Sequence, residues 1–168
     1  MTLEQLLVVI PHSGIMVPNE IPLENLSEEF PSLVQNVDWY THWLYDFRDL
    51  LGNRQIVFPY CCLILEGNRR PDLIDDSVPL RDVHGRPVYR QGGEPDQALR
   101  KRLAEKYLDP FHRDIEKSIS EGAVFLLDGH STVPARGVWE NQIDLMNFQD
   151  SPLDAEPKVY SPQIYIET

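Results

Sequence analysis

Two histidines in this 168-residue chain stand where chemistry can be done. His12 follows the apolar run Leu6–Ile10 in the string Ile10-Pro11-His12-Ser13-Gly14, and His130 follows Ala123–Leu127 in Asp128-Gly129-His130-Ser131. A histidine held at the end of a buried strand sits on rigid backbone, which suits a metal ligand. A hydrolytic zinc site typically takes two histidines and a carboxylate and keeps one position for water. Asp38, opening an apolar-periodic segment, is the chosen carboxylate, and Glu66 in Glu66-Gly67-Asn68-Arg69 is the alternative because it too follows an apolar run. An aspartate in a first helical turn is also favoured by the helix dipole, so Asp38 has an ordinary reading as well. His42, one turn further on, is expected to pair with Asp38, and His112, beside Phe111, is expected to be a hydrogen-bonded core residue. His84 lies in a long loop, and no histidine is placed to activate Cys61 or Cys62.

The elements that must position these residues read as an α/β domain. Leu6–Ile10 is a continuous apolar run of the kind found in strands buried on both faces. Val37, Tyr40, Leu44, Phe47 and Leu51 step by three and four, which predicts an amphipathic helix closed by Gly52. Ile56–Phe58 and Leu63–Leu65 read as short strands, and Pro71–Gly93 as a long loop, a type of connection that is usually functional or mobile. Leu99, Leu103, Tyr107, Phe111, Ile115 and Ile119 predict a second helical stretch, kinked or split at Pro110 with Asp109 as a cap and ended by Gly122. Arg100-Lys101-Arg102 on that helix reads as a solvated face. Ala123–Leu127 is the best strand, and Ile164–Ile166 a candidate last one. Alternating strands and helices imply a mostly parallel central sheet flanked by helices, with ligands outside the carboxyl ends of its strands.

A net charge of −12 argues against nucleic acid and anionic membranes as partners. No apolar stretch approaches a membrane span, the N-terminus lacks the basic region of a signal peptide, and the adjacent cysteines suit a reducing cytoplasm. Recognition of an anionic substrate would need a local arginine.

Several segments, in order, resemble the N-formylglutamate amidohydrolase family. They are Ile10-Pro11-His12-Ser13-Gly14 with Val17-Pro18, Asp38-Trp39 leading to Leu44-Tyr45, and Glu66-Gly67-Asn68-Arg69-Arg70-Pro71. Gly85-Arg86-Pro87-Val88-Tyr89, Tyr107-Leu108-Asp109-Pro110-Phe111-His112, Asp128-Gly129-His130-Ser131 and Ile143-Asp144-Leu145 continue the series. The resemblance implies a zinc-peptidase-like (phosphorylase/hydrolase-like) architecture and hydrolysis of an N-acyl amino acid, N-formyl-L-glutamate giving formate and L-glutamate in histidine breakdown. Position 66 departs from it, carrying Glu where the family has Asp. Family members run beyond 168 residues, so residues 1–168 are expected to form a single amidohydrolase-like domain short of the C-terminal part of that fold.

By this resemblance His12 and His130 would hold one Zn2+ per chain, or another divalent metal, with Asp38, or Glu66 in its place, as the carboxylate chosen from the residues. Asn68 and Arg69 resemble an Asn-Arg pair that grips a substrate carboxylate in related aspartoacylase-like enzymes, a task suited to a planar guanidinium. Ser13 and Arg136 are further substrate-binding candidates, and Glu140 is the candidate general base, with an exposed loop glutamate as its ordinary reading. A zinc amidase or peptidase of other substrate, and a non-catalytic binding module, are the alternatives. A closed pocket ending at Arg69 would favour a small N-acyl amino acid.

Overall fold

The structure is a computed structural model that describes residues 3–34 and 37–131, and the backbone of residues 145–146 and 159–160. Its elements, in chain order, are β1 (Leu6–Ile10), α1 (Phe30–Leu33), α2 (Thr41–Leu44), α3 (Arg48–Leu51), β2 (Gln55–Val57), α4 (Ile74–Ser77), α5 (Gln97–Leu103), α6 (Asp109–Ser120), β3 (Phe125–Asp128), β4 (Leu145–Met146) and β5 (Val159–Tyr160). Met1–Thr132 forms one compact unit and Val133–Thr168 another, the second holding the antiparallel pair β4–β5.

The first unit is built on a three-stranded parallel sheet of order β2-β1-β3. The expected α/β class and the parallel pairing are therefore present in a small sheet. Strand β1 is central, and Leu7, Val8, Val9 and Ile10 are buried there. Burying each such side chain contributes roughly 1.5–3 kcal/mol relative to exposure. The register pairs Val9 with Ile56 on one side and with Asp128 on the other, so the three strands end along one edge.

Beyond that edge the backbones after β1 and β2 stay in contact. Phe58 N donates to Ile10 O at 2.9 Å and Met16 N to Pro59 O at 3.0 Å. Gly14 makes this approach possible, because a Cβ there would lie 2.3 Å from the carbonyl carbon of Pro59.

The predicted helix over 37–51 is replaced by two single turns, α2 and α3. Of its apolar stripe, only Val37 and Leu51 are buried, whereas Tyr40 and Leu44 are more than half exposed. A short helix without a packed face has little to hold it. Tyr40 also stands in the left-handed region at φ 72°, which separates the Asp38 turn from α2.

Leu63–Leu65 is buried, but it is a turn rather than the expected strand. Ile64 N and Leu65 N both donate to Cys61 O at 2.9 Å. A three-residue apolar run records burial without recording backbone shape.

Pro71–Gly93 is anchored rather than loose: Val78, Val88 and Tyr89 are in the core. Arg100 fastens it and is not part of a solvated face. Its buried guanidinium donates to Val78 O and Ile74 O, each at 2.9 Å, and pairs with Asp75.

The second helical stretch begins at Asp96, whose carboxylate accepts from Leu99 N at 2.7 Å. It passes through a π-helical segment, Ala104–Leu108, into α6. Pro110 is thus accommodated by a widened turn rather than a break, and Asp109 is itself helical, not a cap. Ile164–Ile166 lies outside the described residues.

Gly14→Ala should lower stability by roughly 1–3 kcal/mol, because its Cβ meets immovable backbone. Urea unfolding would read this as a lower midpoint at unchanged slope, and an unchanged midpoint would contradict the close approach.

Candidate metal centre

Parallel pairing brings the two histidines together. His12 lies two residues past the end of β1 and His130 two past the end of β3. Neighbouring parallel strands run roughly 4.8 Å apart, and the pairing of Val9 with Asp128 sets His130 level with Pro11, one residue before His12. The imidazole centroids are 4.6 Å apart in an edge-to-face arrangement. Gly129 N donates to Val9 O at 2.7 Å, extending the ladder to the residue before His130. Gly129 also has no room for a side chain: a Cβ would lie 2.8 Å from the Tyr45 ring, whose hydroxyl donates to His130 O at 3.3 Å.

Asp38 reaches the pair from the turn before α2. Thr41 Oγ1 donates to Asp38 O at 2.8 Å and closes that turn. Oδ2 of Asp38 lies 3.2 Å from His130 Nδ1 and 3.8 Å from His12 Nδ1. Ser131 secures the carboxylate, its amide donating to Oδ2 at 3.1 Å and its hydroxyl to Oδ1 at 2.7 Å.

The donor set fits a metal ion. Ligand atoms from His12, Asp38 and His130 all lie within 4.8 Å of one another. Ligands held 2.0–2.1 Å from a tetrahedral zinc are roughly 3.3 Å apart, close to the 3.2 and 3.8 Å separations here. Two imidazoles and one carboxylate are also the chemistry of a zinc site with an open position. Of the two carboxylates weighed, the cluster contains Asp38. Glu66 accepts instead from His12 Nε2, the ring nitrogen away from Asp38, and Asp128 Oδ1 lies 3.0 Å from His130 Nε2.

The electrostatics follow from this ring of carboxylates. Burial pulls the His12 imidazole down, but hydrogen bonds to Asp38 and Glu66 outweigh it and raise its pKa to about 9, against the opposing charge of His130. For His130 burial likewise pulls down, and Asp128 and Asp38 raise the value to about 9. Burial would push Asp38 up, yet hydrogen bonds from His12, His130 and Ser131 hold it well below the usual carboxylate range.

The other expected residues are placed as follows. Ser13 is buried beside His12, whereas Asn68 and Arg69 are exposed in the turn after Glu66. Arg70, Arg48 and Arg86 are paired with Asp72, Asp46 and Asp82, while the Arg69 side chain has no ion pair among the described residues. His42 does not pair with Asp38 but lies against Trp43, ring centroids 5.0 Å apart. His112 is half-buried beside Phe111, and its Nε2 has no hydrogen-bond partner among the described residues. His84 sits in an exposed turn. Burial pushes the Cys61 thiol up to about 11 and Cys62 higher still, the opposite of thiol activation. Arg136 and Glu140 lie outside the described residues.

Sequence reasoning missed Asp128, Ser131, Thr41 and Tyr45. The first two were signalled by their place in the Asp128-Gly129-His130-Ser131 string. The other two act through a turn closure and a ring contact that spacing does not mark.

Two histidines and an aspartate at the carboxyl edge of a parallel sheet define a candidate metal-binding site on an α/β scaffold. A family model, N-formylglutamate amidohydrolase, matches residues 4–148, and the chain belongs to that family. It is 29% identical over 141 residues to an N-formylglutamate deformylase of Pseudomonas putida and 29% identical over 142 residues to one of Pseudomonas aeruginosa. Each alignment covers 75% of this chain and 51% of the relative, so the chain spans about half the length of the curated relatives it matches. No solved structure matches it.

In metal-free protein the two histidines contribute stability that is complete below about pH 6.5, their ordinary value, and is lost as pH rises through about 9. Asp38 contributes above its ordinary value of 3.8 and loses that contribution only in strong acid. Thermal unfolding of metal-free protein should therefore weaken between pH 6.5 and 9, and Asp38→Asn should flatten the decline. An equally steep decline in the variant would mean that Asp38 does not hold the histidine protons.

Proposed function

We propose that this chain is a metal-dependent hydrolase that cleaves the amide bond of an N-acyl amino acid such as N-formyl-L-glutamate, giving formate and L-glutamate. The observation that carries the reading is the convergence of His12, Asp38 and His130, from three separate segments, at the carboxyl edge of a parallel sheet. Family membership and two relatives named N-formylglutamate deformylase support the substrate class. The inferred cofactor is one Zn2+ per chain, with other divalent metals able to accept the same donors. A zinc-peptidase-like architecture and a single amidohydrolase-like domain over residues 1–168 belong to this reading.

Within the site His12 and His130 would contribute Nδ1, and Asp38 a carboxylate oxygen kept deprotonated by its hydrogen bonds. A metal bound there supplies a Lewis acid and lowers the pKa of a coordinated water towards neutrality. Ser131 and Tyr45 hold the ligand geometry through Asp38 and the His130 carbonyl. Glu140 is the inferred general base, taking a proton from the attacking water and delivering it to the leaving amine. Arg69 and Asn68 bind the substrate carboxylate, with Arg136 and Ser13 as further contacts, and the exposure of Arg69 supports that assignment. The acidic net charge is unsuited to nucleic acid, and among the described residues no helix is long and apolar enough to cross a membrane. The reading places the enzyme in the cytoplasm, with a small molecule as its partner.

Elemental analysis tests the reading first. Native protein should carry about one zinc per chain and a His12→Ala, His130→Ala double variant almost none, with hydrolysis of N-formylglutamate lost alongside. Native protein that takes up no metal when zinc is offered would leave a binding module as the better description. Arg69→Lys should raise KM for acidic N-acyl substrates by about tenfold or more with a smaller fall in kcat, since it loses a bidentate contact. Equal losses on acidic and neutral substrates would make Arg69 structural.

A further inference from the structure

We propose that Glu66 is a positioning residue for metal ligation: it holds His12 through Nε2 and so presents Nδ1 to the site. The inference rests on the metal-dependent reading above. An imidazole carries its two nitrogens on opposite flanks of the ring, and a hydrogen bond on one selects the other as ligand. Here the flanks are occupied differently. His12 Nδ1 faces Asp38, 3.8 Å from Oδ2, and Nε2 meets Glu66 Oε1. Glu66 is outside the set of donors that lie within 4.8 Å of one another, as a second-layer partner should be and a ligand should not.

The carboxylate is placed before any metal arrives. Glu66 N donates to Ser77 O at 2.8 Å, its carbonyl accepts from Arg69 N at 3.1 Å, and Oε1 also accepts from Asn68 N at 2.9 Å. Gly67 presses this turn onto Phe58, whose ring lies 3.0 Å from where a Cβ would be. The preceding Ile64 and Leu65 are fully buried, which anchors the turn in the core.

The same plan recurs at the second histidine. His130 Nδ1 faces Asp38, and Asp128 Oδ1 lies 3.0 Å from Nε2, although the angle there makes no hydrogen bond. Each histidine therefore has Asp38 at Nδ1 and an outer carboxylate at Nε2. Of the two, Glu66 makes the better-formed contact. It also belongs to the turn that carries Asn68 and Arg69, so one rigid segment orients a metal ligand and presents the substrate arginine.

Metal affinity decides the matter. Zinc and cobalt(II) dissociation constants should be measured by competition with a chromophoric chelator for wild type, Glu66→Gln, Glu66→Ala and His12→Ala. Thermal unfolding of each metal-free variant, recorded in parallel, reports folding. Glu66→Gln keeps an acceptor of the same shape and should bind one ion roughly tenfold more weakly, whereas Glu66→Ala should approach a hundredfold. The visible spectrum of bound cobalt should be the same in wild type and Glu66→Gln, and the 15N signals of zinc-bound wild type should show His12 ligated through Nδ1. Wild-type affinity in folded Glu66→Gln and Glu66→Ala would overturn the assignment. A changed cobalt spectrum, loss of binding as complete as in His12→Ala, or ligation through Nε2 would overturn it too, the first two by making Glu66 a ligand. Wild type that binds neither ion would instead overturn the metal-centre reading, a failure visible before any Glu66 variant is compared.

Discussion

The parallel register of β1 against β3 is the constraint on which the site depends. Leu6 pairs with Phe125 and Val9 with Asp128, which carries the segments that follow the two strands, with His12 and His130, to the same edge of the sheet. The burial of Leu7–Ile10 holds the register of the central strand, and Gly129 and Gly14 allow the backbone to stay close just where the side chains change from core to chemistry. Hydrophobic packing at one end of the strands thus sets distances between polar atoms at the other.

Around that pair the electrostatics run against the surface charge only locally. The chain carries −12 overall, and three of its carboxylates, Asp38, Glu66 and Asp128, are gathered against two imidazoles. Two half-buried histidines 4.6 Å apart would disfavour protonation if alone; the carboxylates reverse this and raise both to about 9. Protons and a divalent cation compete for the same lone pairs, so a site that attracts protons this strongly is one whose charge a metal ion would neutralise well.

What could be read from the residues follows a physical division. The run Leu6–Ile10 announced its strand because burial on both faces demands continuous apolar sequence, whereas Ala123–Leu127 leads into its strand with Val124, Phe125 and Leu126 exposed among the described residues. The strings ending in His12 and His130 were legible because chemistry at strand ends is short-range in sequence. Asp38 was legible only as one of two carboxylates, since the 25 positions between it and His12 are bridged by tertiary structure. The helix over 37–51 failed for the opposite reason. Its three-and-four spacing is genuine, but Tyr40 and Leu44 face outward among the described residues, and a periodic stripe forms a helix only where something covers it. Leu63–Leu65 shows that apolar content reports depth rather than conformation, and Arg100 that a cation in a basic run can serve as an internal tie.

These differences give the three donors unequal rigidity. His12 follows a strand fixed in the core and His130 a strand paired to it but largely exposed among the described residues, whereas Asp38 stands on a turn between Val37 and a four-residue helix. Tyr40 holds a left-handed conformation at φ 72° that costs a non-glycine residue roughly 1–2 kcal/mol. Such a conformation persists only where neighbouring contacts require it. The contacts present are the buried Thr41, whose hydroxyl closes the turn on Asp38 O, and the paired bonds from Ser131 to the carboxylate. Asp38 is thus placed by polar ties to the very segment that carries His130, not by apolar packing of its own helix. The carboxylate and the second histidine form one assembly, to which β1 delivers His12 as the fixed third member.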